Sequence, residues 1–230
     1  MAVDTVFLDA GGVLVHPNWQ RVAEILARHG ILADAQRLAA VEPSVRRELD
    51  TARGIRTTTD RSRGEAYFGR VFTLAGVTLG PALEPARVEL AAYHAEHNLW
   101  EHVAEDTVPA LERLLEGGRR LAVVSNSNGT VRAKLQRLGL SRFFETIVDS
   151  LEERLEKPDP RIFTLALERI GARPETTIHV GDLYHVDVVG ARAAGLRAVL
   201  VDPHGLYSDQ GGLRVQSLTA LADLVDSGTL

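Results

Sequence analysis

The sequence contains no cysteine, which excludes disulfide bonds and thiolate metal sites from the outset. Lysine is nearly as scarce: among 26 basic residues only Lys134 and Lys157 are lysines, so each of those positions asks for a reason. No apolar run approaches the length needed to span a bilayer, and the first one is broken by Asp4 and Asp9, unlike a secretory leader. A cytoplasmic location is therefore the expectation. Nor is there an excess of positive charge, since a net charge of -5 leaves no global basic field to recruit a nucleic-acid backbone. Neither nucleic acid nor membrane is an expected partner. What remains is 230 residues of ordinary globular composition, enough for one large domain or one domain carrying an insertion.

The most informative stretch is the first. Thr5-Val6-Phe7-Leu8 is a short β-forming run that drives straight into Asp9, followed by Gly11-Gly12, where the backbone can turn back sharply. Asp9 is thus delivered at the end of a strand. In an open α/β sheet, ligands bind beyond the carboxyl ends of strands, so a carboxylate there is a candidate nucleophile or metal ligand. The alternative is that Asp9 only caps a turn.

After a short flap over Val13 to Pro17, Asn18 reads as the N-cap of a helix carrying Trp19, Val22, Ile25 and Leu26. Helical stripes continue to about Trp100. Leu38, Val41, Val45 and Leu49 form one, interrupted at Pro43; Tyr67, Phe68, Val71, Phe72 and Ala75 form another, closed by Gly76; Val88, Leu90, Ala91 and Ala95 suggest a third. From Thr107, a helix cap by this reading, the rhythm becomes helix, strand, helix, strand, the signature of a parallel sheet with helices on both faces. The expected strands are Leu121–Val124, Thr146–Val148, Thr177–Val180 and Ala198–Val201. Asp159 with Pro160 opens one helix, Ser217 caps the last, and Asp202 to Arg214 is the loosest stretch. The fold class expected is α/β: a Rossmann-like core over 1–15 and 101–230, with an α-helical insert over 16–100.

Three strands end in polar residues: Asp9, then Ser125-Asn126, then Gly181-Asp182 with Asp187 close behind, while Lys157 lies in the loop after a fourth. Loops leaving one edge of a parallel sheet bring such residues into one crevice. Carboxylates, a hydroxyl and an ammonium together suit a magnesium-bound phosphate. With these segments in view, the chain resembles the haloacid dehalogenase superfamily, the aspartate-nucleophile hydrolases. Asp9-Ala10-Gly11-Gly12-Val13-Leu14, Val123-Val124-Ser125-Asn126, Lys157-Pro158-Asp159-Pro160 and Gly181-Asp182 with Asp187 resemble its four motifs in order.

That resemblance implies a Rossmann-like core with a mobile helical cap closing over the site. It also implies a hydrolase, a phosphatase by preference, acting on a small phosphorylated molecule through an aspartyl phosphate on Asp9. Asp9 and Asp182 would bind Mg2+, with the Gly11 carbonyl as a further ligand, and Asp187 would bind it through water or orient Lys157. Ser125, the Asn126 amide and Lys157 would hold the phosphoryl group. One position departs from the pattern: phosphatases of this superfamily carry a second Asp two residues after the nucleophile, and here that residue is Gly11. Candidates to supply the missing proton are His16 and His185, although loop histidines are usually only solvated. A dehalogenase of 2-haloacids, or a catalytically weak member that binds a ligand or protein, are the rival readings.

Weaker signals are readable as ordinary structure. Arg46, Arg47, Arg53, Arg56, Arg61, Arg63 and Arg70 make the insert locally basic against Glu48, Asp50, Asp60 and Glu65, a pattern that steers anions or simply solvates a helix face. His94 and His97 make an incomplete metal pair, and His179, inside a strand, reads as a packed core residue.

Overall fold

The computed structural model describes residues 2–230, apart from the side chains of Asp60 and Arg61, where two of the insert's charged positions lie outside the described residues. The chain begins with β1 (Thr5–Leu8) and β2 (His16–Pro17), then passes through five helices: α1 (Trp19–Arg28), α2 (Ala35–Leu49), α3 (Ala52–Thr57), α4 (Asp60–Ala75) and α5 (Glu84–His97). It returns through β3 (Trp100–His102), α6 (Thr107–Glu116), β4 (Arg120–Ser125), α7 (Val131–Arg137), β5 (Thr146–Asp149), α8 (Ser150–Glu153) and α9 (Pro160–Ile170). The last elements are β6 (Thr177–Gly181), α10 (Val189–Ala193), β7 (Arg197–Val201), β8 (Leu213–Val215) and α11 (Leu218–Asp226). Two compact units result: Met1–His16 with Val103–Leu230, and Pro17–His102.

The first unit is a six-stranded sheet in the order β5-β4-β1-β6-β7-β8, with parallel pairing throughout. Its strands are buried on both faces, as parallel sheets covered by helices must be. Phe7, Ala122, Val124, Val148, Ala198 and Leu200 share one face with Ile162 and Phe163 of α9. Register decides where the chemistry falls. Leu8 stands opposite Val123 on one side and Val180 on the other, so the residues that follow these three strands leave at one level of the sheet edge.

Several local expectations need correction. Asp202 to Arg214 is not all loop, because Leu213–Val215 adds a sixth strand beside β7; three residues with Leu213 and Arg214 exposed carry too little apolar pattern to be read as a strand. The α6 cap falls at Asp106 rather than Thr107, whose side chain is buried inside the first turn. Of the expected α5 stripe, Val88 is exposed and Ala86 joins Leu90 inside.

In the second unit α2 runs unbroken through Pro43, which lies inside the helix, rather than being interrupted there. A proline loses one backbone hydrogen bond there, and the completely buried Leu38 and Val45 on either side offset that loss. Trp19, Val22, Ile25, Leu26, Tyr67, Val71, Phe72 and Leu90 pack into a core of this unit's own. The Tyr67 hydroxyl donates to Glu42 at 2.9 Å, and Arg46 approaches Glu42 at 3.3 Å. Arg70 pairs with Glu48 at 3.1 Å, so part of the basic run serves the helices' own ion pairs. His94 accepts the Leu99 N–H at Nδ1 and packs edge-on against Trp100.

One close approach ties the fold to the site. A Cβ on Gly190 would meet Pro158 Cα at 2.8 Å and the Phe163 ring at 3.0 Å, so α10 is seated against the Lys157-Pro158 loop by the absence of a side chain. Alanine has the better helix propensity by about 1 kcal/mol. Gly190→Ala is nevertheless expected to lower stability by about 1–3 kcal/mol through overpacking, read as a lower urea midpoint.

Candidate active site

Asp9 follows β1 and is 8% exposed. Its Oδ1 accepts the Ala10 N–H at 2.7 Å, and Oδ2 lies 3.1 Å from Lys157 Nζ. Of the two glycines behind it only Gly12 takes a left-handed conformation, at φ 75°. Gly12 makes the turn. Gly11, partly exposed and bridging to Val15, has a backbone that other residues can adopt.

Lys157 is completely buried, and its ammonium also reaches Asp187 Oδ1 at 2.7 Å. The Asn126 side chain fixes the Lys157 backbone from both sides, accepting its N–H at 2.7 Å and donating to its carbonyl at 3.0 Å. That side chain is therefore engaged in positioning, which leaves the Asn126 backbone for any contact with a ligand. Ser125 ends β4, its hydroxyl donates to the Asn126 carbonyl at 3.4 Å, and its nearness to Asp9 favours the charged carboxylate.

Asp187 is the most heavily tied of the acids. Beyond Lys157, Oδ2 accepts the Leu183 N–H at 3.0 Å, and Oδ1 stands 3.0 Å from His179 Nε2. His179 was expected to be simple core packing; it is fully buried against Phe163 but also touches Asp187. A carboxylate only accepts, so the ring hydrogen belongs on Nε2, and Nδ1 has no partner among the described residues. The signal for this contact was a polar residue two positions before Gly181 on a strand whose end carries acids. Gly181 itself makes room: a Cβ there would sit 2.1 Å from Asp187 Cγ.

These contacts separate the protonation behaviour of the groups. Burial works against the charged form of every one of them. For Asp9 burial prevails over the Lys157 charge, and the carboxyl is pushed above its ordinary value. For Asp187 the Lys157 charge and the His179 hydrogen bond overcome burial and hold it well below the usual carboxylate range. Lys157, between two carboxylates, is held above its ordinary value despite burial. Lys157 thus stays charged at neutral pH and donates hydrogen bonds without giving up its proton.

Asp9, Asp182 and Asp187 each offer a carboxylate oxygen, and these atoms lie within 4.8 Å of one another. All three are buried. Three hard oxygen donors with one ammonium among them leave net negative charge, a donor set that suits a hard divalent cation. His185 lies one residue beyond Tyr184 and packs edge-on against its ring, and His16 is partly exposed at the start of β2.

A sequence model of the haloacid dehalogenase-like hydrolases matches residues 3–195. The chain belongs to the haloacid dehalogenase-like hydrolase family. The glyceraldehyde 3-phosphate phosphatase of Methanopyrus kandleri is 36% identical over 143 residues, 61% of this chain and 61% of that protein. The phosphoserine phosphatase of Thermus thermophilus is 38% identical over 160 residues, 67% of this chain and 59% of that protein. The chain thus spans about three fifths of the length of these relatives. Among solved structures, the putative HAD-hydrolase YfnB of Bacillus subtilis, bound to magnesium, superposes with a TM-score of 0.72 at 18% identity, covering 98% of this chain and 100% of that one. The L-2-haloacid dehalogenase of Xanthobacter autotrophicus gives 0.64 at 19% identity, over 97% and 98%. At those identities the agreement concerns the fold of this hydrolase family.

The other lysine feels the charge of one of these acids, Asp9. Lys134, on α7, is 3% exposed, and its ammonium makes no hydrogen bond to a described residue. Burial brings it down to about 8, opposed by the charges of Asp9 and Asp149. A folded value below the unfolded one, near 10.5, means that Lys134 opposes folding at neutral pH, by about 3 kcal/mol at ~1.4 kcal/mol per pH unit. Above pH 8 the folded form sheds the proton first, and the penalty fades toward pH 10.5. Lys134→Met is therefore expected to melt higher than the parent at pH 7, with the gap closing between pH 8 and 10 in thermal unfolding.

Proposed function

We infer that this hydrolase is a magnesium-dependent phosphatase that acts on a small phosphorylated molecule, with Asp9 as nucleophile. The observation that carries the reading is the buried group of Asp9, Asp182 and Asp187 at one edge of the parallel sheet, with the Lys157 ammonium paired to Asp9 and Asp187. The phosphatase names of the sequence relatives agree with it.

In this reading an Asp9 oxygen attacks phosphorus, the ester bond to the leaving group breaks, and water later cleaves the aspartyl phosphate to regenerate the carboxylate. Lys157 and Ser125 hold phosphoryl oxygens through charge-assisted and neutral hydrogen bonds, and the Asn126 backbone adds to them. Asp187, committed to Lys157, His179 and the Leu183 N–H, keeps Lys157 aimed at Asp9. Asp9 and Asp182, with the Gly11 carbonyl and Asp187, are the residues that would hold Mg2+. The ion would neutralise the charge gathered by phosphate and carboxylates in one place. The helical unit Pro17–His102 is assigned the part of a cap that selects the substrate. A dehalogenase needs no such ion, so the three-acid group favours phosphoryl transfer.

Gly11 sets the preference among phosphates. General acid catalysis is worth roughly 10²- to 10⁴-fold, and Lys157 does not release its proton at neutral pH. Substrates whose leaving groups need no proton, such as acyl and aryl phosphates, are accordingly favoured over alkyl phosphates.

Two outcomes test this. Hydrolysis of p-nitrophenyl phosphate and acetyl phosphate is expected to stop on chelation of Mg2+ and to fall by at least about 10³-fold in Asp9→Asn. Activity indifferent to both changes would remove the reading. Gly11→Asp, at a position whose backbone tolerates a side chain, is expected to raise turnover of a simple alkyl phosphate by about 10²-fold or more, with a smaller effect on the aryl ester. Equal rates on alkyl and aryl phosphates in the parent would contradict the role given to Gly11.

A further inference from the structure

We propose that Lys134 is a second anion-binding lysine of the site, its ammonium taking an oxygen of the phosphoryl group held at Asp9. The proposal rests on the phosphatase reading and adds to it a residue outside the four motif segments.

The first observation is selective use. Every other basic residue of the chain is an arginine, and the two lysines, Lys134 and Lys157, are both buried. Both also act electrostatically on Asp9 or feel its charge. A compact ammonium with three donors enters a narrow covered space that a planar guanidinium does not.

The second is placement. The loop that leaves Ser125 at the end of β4 leads directly into α7, where Lys134 is the fourth residue. Helical side chains slant toward the N-terminus of their helix, which for α7 is the end that follows Ser125, and the charge of Asp9 acts on the Lys134 ammonium.

The third is an unmet requirement. A nearly buried cation with no hydrogen bond to a described residue is costly, and its two charged neighbours are already engaged. Asp149 accepts the N–H groups of Gly129 at 3.2 Å, Val131 at 3.3 Å and Leu151 at 3.0 Å, holding the loop on either side. Asp9 is taken up by Ala10 and Lys157. A phosphoryl group at Asp9 brings three further anionic oxygens into this region, and Lys134 has donors to spare. The lysine then opposes stability in the free protein and contributes to binding once the anion arrives.

Calorimetric titration of inorganic phosphate, in the presence of Mg2+, tests the assignment on the full chain, with Lys157→Met as the reference. Lys134→Met and Lys134→Gln are each expected to weaken phosphate binding by about 10-fold or more, the loss typical of one charge-assisted hydrogen bond. Inhibition of p-nitrophenyl phosphate hydrolysis by phosphate should weaken in parallel. A purely structural Lys134 would change the melting temperature and leave phosphate affinity within twofold, and that result overturns the proposal. If phosphate binding falls in Lys157→Met alone, the phosphatase reading stands while the role of Lys134 is lost. If the parent binds no phosphate, the Lys134 proposal fails, and turnover of the aryl ester decides the phosphatase reading by itself.

Discussion

Two carboxylates, Asp9 and Asp187, share the Lys157 ammonium in the interior of this protein, with the Asp182 carboxylate close to both, and much of its local geometry answers to that arrangement. Removing a carboxylate from water costs several kcal/mol unless partners replace the lost hydration. Asp187 meets the requirement with Lys157 at 2.7 Å, His179 at 3.0 Å and a backbone N–H at 3.0 Å. Asp9 has fewer donors, and burial accordingly raises it above its ordinary value. The fold serves the arrangement in small ways. Gly181 has no Cβ because Asp187 occupies that space, Gly190 yields to the Pro158 backbone, and Asn126 grips both ends of the Lys157 peptide unit.

The same frame is shared by proteins with different chemistry. Structures named as a magnesium-bound hydrolase and as a haloacid dehalogenase both superpose along nearly the whole chain. The sheet supplies an edge where a nucleophilic carboxylate can be surrounded, and the reaction depends on what surrounds it. In this chain the acids and Lys157 are present around Asp9, and the residue two positions on is a glycine that the backbone does not require. Under the proposed phosphatase reading, the combination would separate stabilisation of the phosphoryl group from proton supply to the leaving group. Enzymes usually combine the two, and a site with only the first depends more strongly on the leaving group.

Legibility followed pattern strength. The run Thr5-Val6-Phe7-Leu8 before Asp9, the Asp159-Pro160 helix start and the Ser217 cap could be read directly, because each depends on neighbours in the chain. Continuity of α2 through Pro43 could not, since the packing of Leu38 and Val45 outweighs one lost hydrogen bond. The strand Leu213–Val215 was hidden for a related reason. Its existence depends on pairing with β7 rather than on its own composition.

By itself the sequence determined the alternation of strands and helices in the core, the helical character of the insert, and the order in which Asp9, Ser125, Lys157, Asp182 and Asp187 occur. These properties are written in periodicity and in residue type. Tertiary structure decided which groups meet. The parallel register that aligns Leu8 with Val123 and Val180 brings strand ends far apart in sequence to one edge, and only then does His179 reach Asp187 and Lys134 come under the charge of Asp9. Burial decided the rest. Charge, partner and proton affinity depend on what excludes water around a side chain, and a linear pattern does not specify which distant segments do so.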